Sequence, residues 1–557
     1  MKETFRQSMA WLHTWFGLWL GFVLMAVFFF GTLSVFDREI DRWAMPDTRF
    51  EPQPMASYDT VLTRVFPQVD AEEHELAAAR RRVGELPEQL QPVGWGAYTT
   101  HRDPVLDVFV EYAVPNPDDP FDHVHGHVTI DPRNGAILPH DRLKVGSEFF
   151  YPMHYSLHIE WRQLGTWLVG VAALIMLVAL ISGVVIHRRL FRELFTFRRH
   201  KQTQRSVLDL HNLTGVVALP FHFIFALSGL TIFAFLYLPV GETVLAKPAH
   251  SYLVEEAARR GLPFLPSGEP APTASVDAMV IEAKSRWAER GHPGEVGFLW
   301  VTHPGDSNSF VSIFRAGSDR VALVGQGIHF DAASGEVLYE EPPPSAIMGV
   351  NEFLTGLHLQ HFEHWPLRWL YVFGGLAGCV CIATGFVFFV AKRKRHLKDV
   401  NLIRWVDALA VTTVTGMITA TVALLAVNRL LPEELPHRGS WEEAAFWLVW
   451  LLTLIHAGWR SGAQSHRLHP LLPSPAWREQ CWAIALLALA AVLLNWFSTG
   501  DHLIRTALVA PYWPVAGVDL ALLLTGLLSG RVAYRLGRRE RATQPQSASP
   551  LLGEVRG

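Results

Sequence analysis

The fold is decided by the stretch WLHTWFG, residues 11–17, because its pattern returns in the stretch DLHNLTG, residues 209–215. Each stretch opens a long apolar run, and in each run a second glycine, Gly31 or Gly229, follows the histidine by eighteen residues. An imidazole costs free energy in hydrocarbon unless a ligand or a hydrogen-bond partner satisfies it. The repeated histidine therefore predicts a duplicated membrane unit whose interior gives the imidazoles something to bind.

The composition indicates an integral membrane protein with substantial polar parts. Half of the 557 residues are hydrophobic and 18% are charged, against about 25% in soluble proteins. The net charge of −4 says little about partners, because the charge is segregated along the chain. Eight segments are long enough to span a bilayer: about 11–36, 164–187, 210–238, 367–391, 404–430, 442–460, 478–498 and 513–535.

The placement of Lys and Arg predicts the orientation of these spans. Basic stretches follow the second, fourth, sixth and eighth spans, at residues 187–205, 392–395, 460–478 and 531–541. All of them fall on one side of the membrane, and cytoplasmic loops are the ones enriched in Lys and Arg. Both termini are therefore expected to be cytoplasmic, and the N-terminal apolar run is expected to stay attached as a spanning anchor.

Two long polar segments, about 40–155 and 240–355, lie on the opposite side of the predicted membrane. Each contains a hairpin pattern, at residues 128–138 and 328–338, and a helical pattern, at residues 71–82 and 274–290. Each segment is long enough for a small α+β domain. The unit of span, outer domain and span thus occurs twice, and it predicts a four-helix bundle with an approximate two-fold axis along the membrane normal.

Histidines mark both edges of this predicted bundle. Bis-imidazole haem ligation at two levels is the functional interpretation, since paired histidines on facing helices hold haem in membrane bundles. His13 and His211 would serve the cytoplasmic level, with His187 as a competitor. One of His154 and His158 with one of His358 and His361 would serve the outer level, and His222 is either a ligand at intermediate depth or a helper between levels. The alternative is that interfacial histidines cap helices or meet lipid headgroups.

A second histidine cluster lies at His123, His125 and His127. Alternation on a strand would put the three imidazoles on one face, where they could bind a metal or a ferric complex. No CxxC motif, dinucleotide-binding glycine motif or phosphate-binding loop occurs in the sequence. Electrons for a haem protein of this kind would therefore come from membrane quinol or from a separate reductase.

The chain resembles the PepSY-associated transmembrane helix proteins of bacterial inner membranes over roughly residues 1–397. The residues that carry the resemblance are LHTWFGL at 12–18, YPMHYSLH at 151–158, SGVVIHRRLF at 182–191, FTFR at 195–198, LDLHN at 208–212, LPFH at 219–222, LH at 357–358 and ATG at 383–385. The outer segments would then be PepSY-like domains. The resemblance identifies eight histidines as family histidines, namely His13, His154, His158, His187, His211, His222, His358 and His361.

The resemblance implies a multi-pass inner-membrane protein that binds haem b, with two haems expected. Such a protein would act as an oxidoreductase that passes electrons outward and reduces periplasmic ferric iron held by a siderophore. The alternative is a non-enzymatic PepSY-type regulator or inhibitor of a cell-envelope protease. The lipid membrane, the electron donor and the periplasmic acceptor are the expected partners, and nucleic acid is not among them.

The expected fold class is a mainly α membrane protein, with a duplicated four-helix haem-binding bundle, two periplasmic α+β PepSY-like domains and four further C-terminal transmembrane helices. Its predicted parts are 1–40 (first transmembrane helix), 41–155 (first PepSY-like domain), 156–190 (second helix), 191–207 (basic cytoplasmic loop), 208–240 (third helix), 241–355 (second PepSY-like domain), 356–397 (fourth helix), 398–537 (four C-terminal helices) and 538–557 (disordered cytoplasmic tail).

Overall fold

The computed structural model describes residues 2–51, 57–98, 104–116, 122–139, 142–186, 203–238, 249–322, 326–393, 400–462 and 473–543. The chain divides into two compact units. The first consists of Met1–Ala44, Leu143–Phe223 and Val372–Gly557, and the second of Met45–Arg142 and Ile224–Tyr371. His187, most of the predicted basic loop 191–207 and the end of the predicted tail lie outside the described residues.

The first unit is helical. Its α-helices, two of which run on into the second unit, are Lys2–Trp19, Gly21–Ser34, Asp37–Ala44, Tyr151–Tyr155, Leu164–Ile186, Thr203–Val217, Leu219–Ile232, Trp365–Arg393, Val400–Val411, Met417–Leu430, Arg438–Gly462, Pro475–Thr499 and Trp513–Thr543. Single π-helical turns, Val145–Phe150, Thr412–Gly416 and Arg505–Val509, widen three of these regions. Such turns allow a helix to absorb an extra residue without ending.

Five described helices are long and apolar enough to cross a membrane: Trp161–Ile186, Trp365–Lys392, Ile403–Leu430, Pro475–Thr499 and Trp513–Arg541. Two further pairs pass the same test together, with a bend of 61° in each, at Leu20 and at Ala218. The described part of the chain therefore offers up to seven spans, and these match seven of the eight predicted ones.

The remaining predicted span, 442–460, is part of the helix Arg438–Gly462. This helix is not among the candidate spans. Its sequence carries Glu442, Glu443, His456 and Arg460, which lower its hydropathy. The prediction of eight spans is thus supported for seven segments, and the orientation of the termini stays a prediction.

The second unit is built on one eight-stranded antiparallel sheet with the order β4-β3-β2-β1-β5-β6-β7-β8. The strands are β1 Pro92–Tyr98, β2 Leu106–Ala113, β3 His123–Asp131, β4 Ala136–Ile137, β5 Val296–Thr302, β6 Phe310–Arg315, β7 Gly327–Asp331 and β8 Val337–Glu340. The helices Glu73–Val83, Ala249–Arg259, Val276–Glu289 and Ala346–Leu359 accompany it.

The two predicted hairpins are present, as β3–β4 and as β7–β8. Gly135 (φ 71°) and Gly335 (φ 77°) supply the left-handed residue that each turn requires. The two predicted helices are present as Glu73–Val83 and Val276–Glu289. The sequence predicts two small α+β domains, whereas the structure joins their strands in a single sheet.

The join is the antiparallel pairing of β1 with β5. A side chain on β1 has no room there, because a Cβ atom on Gly94 would lie 2.1 Å from the Trp300 ring. One apolar core runs across the join and includes Trp95, Leu299 and Val301, all of them fully buried. The two sequence halves therefore share both main-chain hydrogen bonds and a core.

A reciprocal capping contact ties the two halves together a second time. The backbone N–H of Tyr58 and the Ser57 hydroxyl donate to the Asp277 carboxylate, at 2.7 and 2.5 Å. In return, the Val276 N–H and the Ser275 hydroxyl donate to Asp59, at 2.7 and 2.6 Å. Each aspartate thus caps a helical segment of the other half, as expected for a two-fold arrangement.

We expect Asp59→Ala and Asp277→Ala each to destabilise the sheet unit by about 1–2 kcal/mol, because each removes a helix cap from the opposite half. The two effects should be similar in size, since the two contacts have the same geometry. Thermal unfolding of the purified full chain measures both. Substitution of Asp70, whose side chain has no role in either cap, serves as the comparison, and an equal loss there would contradict the assignment.

Candidate functional site

A cavity of about 760 Å³ lies within the first unit. Residues from the helices Lys2–Trp19, Leu164–Ile186, Thr203–Val217 and Trp365–Arg393 line it, together with some from their neighbours. Its size is within the range of cofactor sites, about 300–1,000 Å³. Several glycines belong to its wall: Gly17, Gly21, Gly183, Gly215, Gly378 and Gly385.

His13 and His211 are among the polar residues that line this cavity. The Nδ1 atom of His13 lies 3.0 Å from the carbonyl oxygen of Ala179. The Nδ1 atom of His211 lies 2.8 Å from the carbonyl oxygen of Cys381. A carbonyl oxygen only accepts hydrogen bonds, so in both rings Nδ1 carries the proton and Nε2 keeps the lone pair. This is the tautomer that a metal-binding histidine adopts when a backbone carbonyl orients it.

A glycine beneath each ring completes the pattern. A Cβ atom on Gly183 would lie 3.4 Å from Cε1 of His13, and one on Gly385 would lie 3.4 Å from Cε1 of His211. Both distances correspond to ordinary van der Waals contact, so each imidazole lies next to a helix backbone at a glycine. The two histidines therefore have matching surroundings, as their matching positions in the sequence predict.

The centroids of the His13 and His211 rings are 6.2 Å apart, and the ring planes are at 85° to each other. An imidazole–metal bond is about 2 Å long and the ring nitrogen lies about 1 Å from the ring centre, so two imidazoles on opposite sides of one metal ion have centroids about 6 Å apart. The observed spacing matches this value, and it also matches an edge-to-face contact between the two rings. The structure thus brings together the two histidines that the sequence pairs.

His222 also lines the cavity, and it is buried. Its Nε2 atom lies 3.1 Å from the carbonyl oxygen of Gly374, so in this ring Nε2 carries the proton. The ring packs edge-on against Phe28, with 5.0 Å between centroids. His222 is therefore bonded to a helix backbone through Nε2, whereas His13 and His211 are bonded through Nδ1. These contacts favour a supporting role for His222 over a role as an iron ligand.

His154 belongs to the first unit and has the same surroundings as His13. Its Nδ1 atom lies 2.8 Å from the carbonyl oxygen of Val27. A Cβ atom on Gly31 would lie 2.6 Å from that Nδ1 atom, so only glycine leaves room for the ring. His158 differs, because its Nε2 atom lies 2.9 Å from the carbonyl oxygen of Phe149. Of this pair, His154 has the tautomer of His13 and His211.

His358 belongs to the second unit. Its Nδ1 atom lies 2.9 Å from the hydroxyl oxygen of Ser228, and that hydroxyl donates to the carbonyl oxygen of Ile224 at 2.8 Å. Ser228 thus accepts from His358, and Nδ1 carries the proton again. A Cβ atom on Gly229 would lie 3.0 Å from Cε1 of His358. Gly31 and Gly229, the repeated glycines of the sequence, each make room for an outer histidine.

The outer histidines of the two pairs lie in different units, His154 and His158 in the first and His358 and His361 in the second. The pairing across them stays a prediction. His361 is half-buried. His187, the competitor at the inner level, lies outside the described residues.

His123, His125 and His127 lie on β3 and share one face of the strand, as the alternation predicts. Each faces a carboxylate. His123 lies 3.5 Å from Glu111, His125 lies 3.0 Å from Glu75, and His127 lies 3.7 Å from Asp107. Among the residues that the structure describes, no three His, Cys, Asp or Glu side chains converge in a way that could hold a metal ion. The cluster is a ladder of imidazole–carboxylate pairs in this structure, and metal binding there stays a prediction.

The sequence identifies the histidines but not the groups that orient them. The carbonyl oxygens of Ala179, Cys381 and Val27 have no signature in a sequence, because every residue has a carbonyl. Sequence reasoning also misses Ser228, although it directly precedes the repeated Gly229. The contrast between His154 and His158 depends on hydrogen bonds that spacing alone does not reveal.

Comparison with known families identifies the family of this chain. The family model of the PepSY-associated TM region matches residues 10–392. The chain belongs to this family. An uncharacterized protein of Pseudomonas aeruginosa is similar to it, with 26% identity over 433 residues that cover 72% of this chain and 97% of the relative. The histidines His13, His154, His211, His222 and His358 all lie within the family region, whereas the helices after residue 400 lie outside it.

The carboxylate of Glu111 gives a pH test of the histidine ladder. Interaction with His123 holds the pKa of Glu111 below its ordinary value. A lowered carboxylate pKa means that the pair stabilises the fold above the ordinary Glu pKa, and that this stabilisation is lost as the pH falls through the lowered value. We expect the contribution to be under about 1 kcal/mol, because the groups are partly exposed.

Thermal unfolding of the parent and of Glu111→Gln between neutral and acidic pH measures this effect. The parent should be the more stable protein at neutral pH, and the difference should vanish at acidic pH. A difference that is the same at every pH would show that the charge of Glu111 has no part in it.

Proposed function

We propose that this protein is a membrane haem oxidoreductase that carries electrons across the bilayer and reduces periplasmic iron held by a ferric siderophore. The observation that supports this best is the 6.2 Å between the ring centroids of His13 and His211, inside a cavity walled by glycines. A haem needs only two side-chain ligands because the porphyrin supplies the others. The residues present therefore fit the group that the family resemblance implies.

His13 and His211 would hold the inner haem. The carbonyl oxygens of Ala179 and Cys381 fix the two ring orientations and make Nε2 a better electron donor to a metal. The glycines at 183 and 385 let the rings lie against the helix backbones, which leaves the space between the rings for a flat molecule.

The outer haem, as the sequence predicts, takes one ligand from each outer pair. Hydrogen bonding favours His154 over His158, because the Nε2 atom of His158 is bonded to the Phe149 carbonyl. His358 has the surroundings of His154, with Nδ1 bonded and a glycine beside the ring. His222, bonded through Nε2, would help to shape the inner site instead of holding iron.

When bound between two imidazoles, haem supplies reversible one-electron transfer. The chain contributes positions and orientation, and none of the described histidines needs to move a proton for this role. Each electron converts one Fe(III) to Fe(II), which siderophores hold far more weakly. The donor would be membrane quinol or a separate reductase, since the sequence has no nucleotide-binding motif.

We expect the purified parent to contain two haems, and we expect His211→Ala and His154→Ala each to remove one of them. The reason is that each change deletes the Nε2 donor of one proposed site. Pyridine haemochrome content per chain and the low-spin signals in electron paramagnetic resonance measure the loss. His158→Ala is the matched control, because its imidazole neighbours His154 in sequence yet should leave both haems in place.

A colourless parent protein would end the haem proposal. If that protein bound and inhibited a cell-envelope protease, the regulatory alternative would take its place. Haem loss in His158→Ala but not in His154→Ala would keep the haem function and would reverse the ligand assignment. Reduction of a ferric siderophore by dithionite-reduced protein, followed optically, tests the acceptor separately.

A further inference from the structure

The segment that precedes His154 is fixed by a buried carboxylate from the first sequence half. The Asp41 carboxylate, fully buried, accepts a hydrogen bond from the backbone N–H of Gly146 at 2.7 Å and one from Ser147 at 3.3 Å. Gly146 also packs so closely on the backbone of Asp37 that a Cβ atom would lie 2.0 Å from its carbonyl oxygen. The π-helical turn Val145–Phe150, which precedes His154, is thus hydrogen-bonded to Asp41 through its first residues.

The helix Arg438–Gly462 contributes a second buried carboxylate to the same segment. The backbone N–H of Leu143 donates to Glu442 at 3.1 Å, and Glu442 is fully buried. Arg438, 2% exposed, pairs with Glu442 at 3.0 Å, and the amide of Asn428 donates to the same carboxylate at 3.0 Å. A buried charge that loses its partner is strongly destabilising. The network therefore fixes the position of Leu143 relative to the helix Arg438–Gly462.

An aromatic stack connects the same helix to the outer histidines. The Phe446 ring packs on Phe149 with 4.9 Å between centroids, and Phe149 stacks on the His158 ring at 4.7 Å. All atoms of Phe149 and Phe446 are buried. Because the carbonyl oxygen of Phe149 also accepts from His158, a movement of Phe446 would be felt in the turn that carries both histidines.

The last helix bonds to Trp43, two residues after Asp41 on the same short helix. The indole N–H of Trp43 donates to Asp519 at 2.8 Å, and both residues are fully buried. Arg429 bonds to the carbonyl oxygen of Trp43 and lies over its ring, 4.6 Å from the centroid. The short helix Asp37–Ala44 is therefore held between the C-terminal helices and the segment that it supports.

The corresponding residues of the second half are exposed within the described part of the chain. By the offset that relates His154 to His358, Phe149 corresponds to Phe353 and Leu143 to Ile347. Phe353 is 47% exposed and Ile347 is 82% exposed, whereas Phe149 is fully buried. The contacts described above thus involve the segment that carries His154.

We propose that the C-terminal helices, which lie outside the family region, are a built-in clamp for the turn that carries His154. Glu442, Phe446 and Asp519 are its positioning residues. By holding the segment 143–155 the clamp fixes the His154 ring over Gly31. The clamp itself stands on contacts alone, while its effect on a haem rests on the proposed function.

Hydrogen exchange of the full-length protein, followed by mass spectrometry, tests the clamp without any cofactor. We expect Glu442→Gln and Phe446→Leu to raise the exchange rate of amides in residues 143–155 at least tenfold. The first change weakens the acceptor for the Leu143 N–H, and the second removes the stack on Phe149. Two variants are used because the first leaves Arg438 with a weaker partner and could destabilise the helix bundle more widely.

Glu479→Gln is the matched control. It removes the same charge from the same C-terminal helices, but Glu479 pairs with His456 and Arg460, at 3.0 and 2.5 Å. No hydrogen bond or ion pair joins it to residues 143–155, all of which the structure describes. Exchange in residues 143–155 should stay at the parent rate in this variant. Unchanged exchange in both test variants, or equal acceleration in the control, would overturn the clamp.

The haem signals separate this proposal from the proposed function. In a parent with two haems, Glu442→Gln and Phe446→Leu should shift the midpoint potential and the low-spin resonance of one haem only, the one lost in His154→Ala. A shift in the haem lost in His211→Ala would contradict the clamp and leave the haem function standing. A parent without haem would refute the haem function, and the exchange experiment would still decide the clamp.

Discussion

The structure depends on one recurring interaction, the hydrogen bond from an imidazole Nδ1–H to a fixed oxygen on a neighbouring helix, with a glycine beneath the ring. It occurs at His13, His211, His154 and His358. In a membrane interior this bond satisfies Nδ1 of the imidazole. Because the accepting oxygen belongs to a helix, the bond also fixes the direction in which Nε2 points. A site built in this way requires small residues at set positions, which accounts for the joint repetition of glycine and histidine in the sequence.

Much of the fold can be predicted from the sequence because each informative sequence pattern occurs twice. The repeated histidines, the repeated glycines and the two hairpin patterns each have a counterpart about 200 residues away. The spans are equally visible, since apolar runs of this length are typical of helices that cross a bilayer. The helix Arg438–Gly462 is the exception among the predicted spans. Polar residues such as Glu442 lower its hydropathy, and it is not among the candidate spans of the structure.

Other features lie beyond sequence reasoning for physical reasons. The pairing of β1 with β5 depends on Gly94 leaving room for the Trp300 ring, a contact between residues about 200 positions apart. The distinction between His154 and His158 depends on which ring nitrogen meets a carbonyl oxygen. The role of Asp41 and Glu442 depends on backbone N–H donors, and every residue other than proline has one.

The central pairing of β1 with β5 has a consequence for how the protein came to be a single polypeptide. Either half alone would end in a bare sheet edge with its N–H and C=O groups open to any passing strand. Single copies of the unit would need to associate about a two-fold axis to close that edge. Fusion of two copies makes the closure intramolecular, so assembly no longer depends on concentration. Each copy can then differ from the other in the additional helices that pack on it.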